Sequence, residues 1–358
     1  MFTAKRKGLL AFFAVLLTVA LISCAVIFAL PEKTAHAEGA QTQTDEGQTD
    51  QTATVKSAEE LKSALNNEEV STIALGGNIT ANAEIAPGRT VTLDLNGFTL
   101  TNESDHTITN YGKLTIKDSS AENSGTVDNI TNARGALFNL GEAVLLGGNY
   151  TRSKEAGSSV EEGGGNSWYA IKNLGYLTIG EDGKDCEVNV IQNGHFSSLI
   201  TNGYYNSDNS GDHKTYYGLV TTADKIPTLT IYGGEFTGGI NSIKNDNHGV
   251  MNIKGGIFNN STQSVVLNWN NLTIDDGTFN IADDATASVT TSYDSTGFNN
   301  GNTVINGGTF AGAIVADYGA DNVKYSISGG EFATAVSEEF IAEDSLFYPT
   351  ENGFTVGT

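Results

Sequence analysis

Apolar and polar side chains alternate in a short pattern that recurs along the second half of the chain. Five copies share a triplet ending in isoleucine, a pair ending in glycine and a final phenylalanine, and they occupy residues 229–236, 251–258, 272–279, 303–310 and 325–332. A period of two is typical of a strand with one buried face, and glycine permits a sharp corner. Each copy therefore predicts a half-buried strand followed by a tight corner.

The spacing of the copies predicts how the strands are arranged. The five phenylalanines that end the copies are separated by 22, 21, 31 and 22 residues, so one coil takes about 22 residues, and looser copies lie at residues 144–150 and 190–196. One such strand cannot bury its apolar face, whereas coils stacked about 4.8 Å apart place each isoleucine over the next. We therefore expect an all-β, single-stranded parallel β-helix (solenoid).

A second recurring element marks another turn of the coil. Asparagine and glycine flank one residue at 110–112, 139–141 and 173–175, and each group precedes an apolar triplet, namely 114–116, 144–146 and 177–179. Both residue types tolerate left-handed backbone angles. Because Asn110, Asn139 and Asn173 recur in register, we expect them to stack as a hydrogen-bonded ladder and not to bind a ligand.

Both ends of the solenoid need a cover, since open ends expose strand edges and core. Residues 57–60 (Ser-Ala-Glu-Glu) fit a capping box, and residues 58, 61, 64 and 65 form one apolar face of a short N-terminal capping helix that ends at residues 66–67. Apolar residues between 333 and 348 are expected to close the other end.

The N-terminal region has the anatomy of an export signal. Basic residues 5–7 precede an uncharged run at 8–30, and Ala35-His36-Ala37 offers a small-x-small cleavage site. Residues 1–37 thus predict a signal peptide, with an uncleaved anchor as one alternative and lipidation of Cys24 as another. Residues 38–54 are polar and predict a flexible linker, so that the β-helix domain covers 55–358.

The charge of the mature chain excludes some partners and admits others. Residues 1–37 hold four of the 19 basic and one of the 42 acidic residues, which leaves 15 basic and 41 acidic residues and a net charge of −26. Nucleic acid is excluded as a partner because it requires clustered basic residues. Ca²⁺ is a possible ligand of the acidic loops. Only Cys186 follows the signal, which precludes an internal disulfide.

The pattern from Ser57 through 91–97, followed by the repeats, resembles the right-handed parallel β-helix (pectin-lyase-like) surface proteins of Gram-positive bacteria. The resemblance covers residues 55–350 and implies a right-handed coil and a secreted or cell-surface location. It does not imply one activity, because that family contains lyases, hydrolases, adhesins and proteins of no known role. Its polyuronate-cleaving members would require an acidic Ca²⁺ cluster with a basic residue nearby, or a pair of aspartates.

Few residues offer such chemistry. Of the three arginines in the mature chain, Arg89 sits in a turn and is expected to serve solubility, which leaves Arg134 and Arg152 as candidates for a lyase. Asp275 and Asp276 occupy a corner of the repeat and are expected to form the turn. The histidines show no metal-ligand spacing, and no catalytic residue or metal ligand is assigned.

Two insertions interrupt the repeat and contain aromatic side chains. They cover residues 153–170 and the segment between Phe196 and Phe236, and the aromatic candidates for binding are Trp168, Tyr169, Tyr204, Tyr205, Tyr216 and Tyr217. Loops on a rigid scaffold concentrate binding residues, and exposed aromatics stack on sugars or anchor proteins. The alternative is that these tyrosines cover a small core of their own.

The sequence therefore favours a secreted or cell-surface, non-catalytic binding or adhesion module for glycans or host proteins. A Ca²⁺-dependent lyase acting on acidic polysaccharide and a structural spacer of the cell envelope remain open alternatives. Membrane contact is expected only through an uncleaved N-terminal segment.

Overall fold

The structure is a computed structural model, and it describes residues 51–130, 134–153, 169–192, 197–204, 226–246, 248–260, 262–283, 285–292, 301–317 and 322–358. The chain divides into two compact units, residues 1–47 and 48–358, and every described residue belongs to the second. The expected signal peptide and most of the expected linker lie outside the described residues. No helix within the described ranges has the length and apolar content needed to cross a membrane.

Three long sheets build the second unit. Sheet A has eleven strands in stacking order: β1 (Gln51–Val55), β2 (Val70–Leu75), β5 (Thr90–Asp94), β8 (Lys113–Lys117), β11 (Glu142–Leu145), β14 (Tyr176–Ile179), β17 (Thr228–Ile231), β20 (Val250–Ile253), β23 (Asn271–Ile274), β26 (Asn302–Ile305) and β29 (Lys324–Ile327). The first strand begins at Gln51, four residues before the expected start of the folded part.

The other two sheets follow the same stacking. Sheet B has twelve strands: β3 (Ile79–Thr80), β6 (Thr99–Asn102), β9 (Thr126–Asn129), β12 (Gly147–Thr151), β15 (Glu187–Gln192), β18 (Glu235–Gly238), β21 (Ile257–Asn259), β24 (Thr278–Asn280), β27 (Thr309–Phe310), β30 (Gly330–Phe332), β32 (Gly353–Gly357) and β31 (Leu346–Thr350). Sheet C has nine: β4 (Ala83–Ile85), β7 (Ile108–Asn110), β10 (Leu137–Asn139), β13 (Ile171–Asn173), β16 (Ile200–Asn202), β19 (Ile243–Asn245), β22 (Ser264–Asn268), β25 (Ala287–Ser292) and β28 (Ala313–Asp317).

Successive coils pass through sheet A, sheet B and sheet C in turn, and equivalent strands pair in parallel. The isoleucines that end the repeat triplets are in register across sheet A and are fully buried: Ile231, Ile253, Ile274, Ile305 and Ile327. The all-β parallel β-helix predicted from the repeat is therefore confirmed.

The phenylalanines of the repeat form one continuous stack in sheet B. From Phe236 to Phe332, successive ring centroids are 4.7–4.9 Å apart and the rings are within 9° of parallel. The glycine pairs allow this close stacking. A Cβ added at Gly255 would lie 2.7 Å from the Tyr232 carbonyl oxygen, and Gly256 has a φ of +114°. The first glycine of the pair is thus required by the approach of the previous coil, and the second by its backbone angle.

The predicted asparagine ladder is also present. Asn110 donates from Nδ2 to Oδ1 of Asn139 (2.7 Å), and Asn139 donates likewise to Asn173 (2.8 Å). The ladder is longer than the sequence groups indicate, because further members continue it to a threonine hydroxyl: Asn202, Asn245, Asn268 and Thr303. All six asparagines are fully buried.

Two of the looser repeat assignments are wrong in register. Val190 pairs with Phe236, so Val190 itself holds the phenylalanine position and the triplet of its coil is 177–179. Phe196 lies outside the described residues. In the preceding coil Ala143 pairs with Leu114, which moves the triplet one residue back from 144–146. Periodicity alone misplaced these strands because glycine and apolar residues also occur in the corners.

The N-terminal cap is confirmed. Helix α1 (Ala58–Asn66) contacts β1, β2 and β4 through a face that contains Leu61, Ala64 and Leu65. The Ser57 hydroxyl accepts a hydrogen bond from the Glu60 backbone N–H (3.2 Å). The Glu60 carboxylate accepts from the backbone N–H of Lys56 (2.7 Å), one residue before the cap. Donors at the helix start are thus satisfied from both sides.

Arg89 does not serve solubility as expected from its turn. Its guanidinium donates to the carbonyl oxygens of Leu65 (3.2 Å), Asn67 (2.9 Å) and Val70 (2.9 Å), where α1 ends. The last carbonyls of a helix lack intrahelical partners, and a cation near them is favourable. Arg89 therefore caps the C-terminus of α1 from the next coil.

Residues 333–348 close the other end together with a terminal hairpin. β32 pairs antiparallel with both β30 and β31, and Ile341 forms a β-bridge with Ile327. Phe347 and Phe354 stack with ring centroids 4.9 Å apart and pack against the core. Val336, Phe340, Ile341 and Phe347 provide the expected apolar closure, whereas Leu346, also expected there, is 58% exposed.

Candidate binding face on sheet C

The two long insertions lie in the connections on either side of sheet C. One joins β12 to β13, and the other joins β16 to β17. We call the outward side of sheet C and the turn residues beside it the sheet C face. A binding site supplied by the insertions would border this face, because a loop begins and ends at the strands that it connects.

The sheet C face differs in chemistry from the outward face of sheet A. The central outward position of sheet A is mostly threonine, as at Thr115, Thr178 and Thr230. The matching column of sheet C reads Glu84, Thr109, Phe138, Lys172, Thr201, Lys244, Leu267, Thr290 and Val315. Phe138, Lys172, Lys244 and Leu267 thus place large apolar or cationic side chains in the sheet C column, whereas the sheet A column has no lysine or aromatic residue at this position.

Part of the face forms a second apolar cluster that is separate from the main core. Phe138, Leu140, Leu174 and Tyr204 are its buried members, and Tyr111 packs against them. Lys172, in the next strand, is only 1% exposed, and its Nζ lies 5.3 Å from the ring centroid of Tyr169. A cation over an aromatic face is favourable, more so where water is excluded.

A second cation–aromatic pair lies two strands further along and is half-exposed. Lys244 Nζ is 4.5 Å from the ring centroid of Trp269 and 2.8 Å from a carboxylate oxygen of Asp246. Asp246 is 2% exposed and accepts a hydrogen bond from the Thr201 hydroxyl (3.0 Å). The ion pair is therefore anchored on its acidic side, while Lys244 and Trp269 remain in partial contact with solvent.

Two histidines stack on aromatic rings at the same face. His248 stacks on Tyr204 with ring centroids 4.5 Å apart, and His106 stacks on Phe138 at 4.7 Å. Burial lowers the pKa of His106 to about 4, outweighing the opposite effect of Asp105. Its Nδ1 accepts a hydrogen bond from the Gly135 backbone N–H (3.0 Å). His106 is thus a neutral, structural imidazole at physiological pH.

The predicted binding residues divide into three groups. Tyr169 is half-exposed beside Lys172, which is compatible with binding. Tyr204 is only 7% exposed and belongs to the second apolar cluster, so it has the structural role that was the alternative. Four candidates lie outside the described residues: Trp168, Tyr205, Tyr216 and Tyr217.

Sequence reasoning missed Lys172, Lys244 and Trp269. The available signal was the middle residue of each strand that ends in a ladder asparagine. This position faces outward, and a lysine there places a long cationic side chain where some other strands have a small uncharged one. Trp269 follows the ladder residue Asn268, and its position became visible only when the ladder itself was extended.

The candidates for catalysis have other contacts. Arg134 Nε donates to the Asp105 carboxylate (2.9 Å), and Arg152 is fully buried. Asp275 accepts from the side chains of Lys254 and Asn306, and Asp276 accepts from the Gly277 backbone N–H (2.8 Å), as expected of corner residues.

No group of three or more metal-ligating side chains occurs among the residues with described positions. The thiol of Cys186 is half-buried in a corner of sheet B, and burial raises its pKa.

Comparison of the chain with protein-family models, curated proteins and solved structures finds no match in any of the three.

Proposed function

We propose that the protein is a secreted or cell-surface β-helix that binds an extracellular glycan or protein without transforming it, and that the ligand contacts the sheet C face. The observation that carries the proposal is the two partly exposed aromatic side chains there, Tyr169 and Trp269, each of which lies beside a lysine. The resemblance of the repeats to pectin-lyase-like surface proteins of Gram-positive bacteria agrees with a secreted or cell-surface location.

The geometry favours binding for two reasons. Strand positions are held by the ladder and by the main core, so Lys244 and Trp269 are displayed on a rigid support, which reduces the entropy lost when a ligand binds. The face also combines aromatic rings with a few polar groups, as ligand sites commonly do. Large amphipathic rings contribute much of the affinity at such sites.

The lyase alternative has less support from the same residues. A catalytic base must reach the proton that it removes. Arg152 is fully buried, and Arg134 is engaged by Asp105. The spacer alternative predicts no ligand at all and is tested by the same experiment.

The test is binding of residues 38–358 to a glycan array, together with capture of surface proteins from host cells. We expect specific binding that is lost in a double variant, Tyr169→Ala with Trp269→Ala. Tyr176→Ala is the control, because Tyr176 is an exposed aromatic (37%) on sheet A. Binding that is lost equally in the control would contradict the assignment to sheet C, and empty arrays and captures would favour a spacer.

A further inference from the structure

We infer that the group formed by Trp269, Lys244 and Asp246, here called the Trp269 subsite, binds a neutral glycan and discriminates against acidic ones. The inference rests on the proposed function and adds the class of ligand. Its basis is the balance of charge at a half-exposed aromatic ring.

The apolar part of the subsite is a fixed indole. Trp269 follows the ladder residue Asn268, and its backbone N–H donates to the Asn245 carbonyl oxygen (2.9 Å). Lys244 lies over the ring, 4.5 Å from its centroid, and part of the indole stays exposed. A pyranose ring has an apolar C–H face that packs on an aromatic surface, so a held and partly exposed indole suits a sugar.

The polar part of the subsite carries no net charge. Lys244 Nζ is 2.8 Å from the Asp246 carboxylate, and Asp246 is buried and held by the Thr201 hydroxyl. An anionic ligand would compete with Asp246 for the lysine and would leave a buried carboxylate without its cation, which is costly. A neutral glycan carries no charge that competes for the lysine, so the ion pair stays in place.

The field of the whole protein acts in the same direction. The mature chain has a net charge of −26, which repels polyanions at low ionic strength. A polyuronate would gain only one cation at this subsite, and that cation is already balanced. A neutral glycan has no net charge and is not repelled by the negative charge of the protein.

The first experiment compares neutral and acidic probes by titration calorimetry on residues 38–358. Cellohexaose, laminarihexaose and mannohexaose are the neutral probes, and hexagalacturonate is the acidic probe. We expect at least one neutral probe to bind, and hexagalacturonate not to bind. Trp269→Ala should weaken neutral binding by about tenfold, or about 1.4 kcal/mol. Trp269→Phe should retain part of the affinity, and Tyr176→Ala should retain all of it.

The second experiment changes only the charge. Asp246→Asn keeps an acceptor for the Thr201 hydroxyl and removes the negative charge 2.8 Å from Lys244 Nζ. We expect this variant to bind hexagalacturonate, and this binding should weaken as the salt concentration is raised. Its affinity for the neutral probes should stay within about threefold of the wild-type value, which is under 1 kcal/mol. If circular dichroism shows that Trp269→Ala does not fold, the double variant Lys244→Met with Asp246→Asn is used in its place. It removes the ion pair and keeps the indole.

The outcomes separate this inference from the proposed function. Wild-type protein that prefers hexagalacturonate overturns the neutral-glycan inference and leaves a binding module in place. The inference is also overturned if Trp269→Ala leaves the affinity for the neutral probes unchanged, or if the sheet C variants abolish only the capture of a protein. Failure of every probe, array and capture overturns both proposals together.

Discussion

At the scale of single residues, the asparagine ladder shows how a polar side chain is accommodated in a packed interior. Asn173 is fully buried, accepts from Asn139 and donates to Asn202. It also donates to the carbonyl oxygens of Gly175 (3.1 Å) and Thr228 (3.0 Å). Every polar atom of this amide is thereby satisfied, and it joins sheet C to the start of sheet A in two successive coils.

Asn173→Leu should destabilise the fold strongly because it leaves several buried groups without partners. We expect a loss of about 3 kcal/mol or more, since each buried donor or acceptor left unsatisfied costs about 1–3 kcal/mol. Denaturant unfolding measures the change. Asn280→Ala is the matched control, because Asn280 forms an equivalent bond to Asn259 (2.9 Å) on the exposed side of sheet B. Its loss should be below about 0.5 kcal/mol, and a similar loss in both variants would contradict the argument.

Asp118 should make stability depend on pH in the acidic range. Burial alone would raise the pKa of Asp118, but hydrogen bonds from the Ser120, Gly125 and Gly97 backbone N–H groups and from the Ser120 hydroxyl lower it below 3.8. A lowered pKa in the folded state means that the stabilisation is present above the unfolded-state pKa and is lost as the pH falls through the folded-state value.

The corresponding experiment compares urea unfolding of the wild type and Asp118→Asn between about pH 6 and pH 2, a window that spans the ordinary carboxyl range. The variant should be less stable near neutrality, and the difference should shrink as the pH falls. Asp283→Asn, in an exposed loop, should follow the wild-type curve. A constant gap between the curves of wild type and Asp118→Asn would exclude the carboxylate as the cause.

At the scale of elements, α1 depends on a residue that lies outside it. Arg89→Met should remove the donors from the last carbonyls of α1 while preserving most of the side-chain stem. We expect a loss of about 1–2 kcal/mol, because hydrogen bonds from a charged group contribute about 1.5–3 kcal/mol and this side chain is partly exposed. Hydrogen exchange at the Leu61 and Leu65 amides should accelerate.

Arg134→Met is the control for this change. Arg134 forms an exposed ion pair with Asp105 (2.9 Å), and an exposed pair contributes at most about 1 kcal/mol. Exchange in α1 should be unaffected by it. Equal effects of the two substitutions would mean that Arg89 acts through charge alone and not through the helix end.

The elements also show which features a sequence can reveal. Strands and corners of the repeat follow from alternation and glycine because both are local requirements, and the ladder follows from the register of Asn110, Asn139 and Asn173. The role of Arg89 depends on a contact between coils, and the exposure of Tyr204 depends on what packs over it. Lys244 and Asp246 are close in the sequence, but the Thr201 hydroxyl that holds Asp246 comes from the preceding coil and approaches only when the coils are stacked.

At the scale of the whole molecule, a solenoid is held by contacts between neighbouring coils, so its stability is close to a sum over coils. Removal of one complete coil should therefore leave a folded protein. Deleting residues 250–270 removes β20, β21 and β22 and joins Gly249 to Asn271. Val250 and Asn271 are in register in sheet A, so β17 would then pair with β23. Phe236 would stack on Phe279, and Asn245 would take the place of Asn268 beside Thr303.

We expect this deletion to retain the β-sheet circular dichroism and cooperative unfolding of the parent. Its melting temperature should fall by about 2–4 °C for each kcal/mol of lost stability, the scaling for domains somewhat smaller than this unit. Deleting residues 250–260 instead removes half a coil, places sheet C residues beside sheet A and buries the wrong side chains, so it should abolish folding. Since the full-coil deletion also removes Trp269, it should be folded and unable to bind the neutral hexasaccharides, which ties the repeat and the proposed site to one measurement. A full-coil deletion that unfolds as completely as the half-coil deletion would contradict the additive, coil-by-coil basis of this fold.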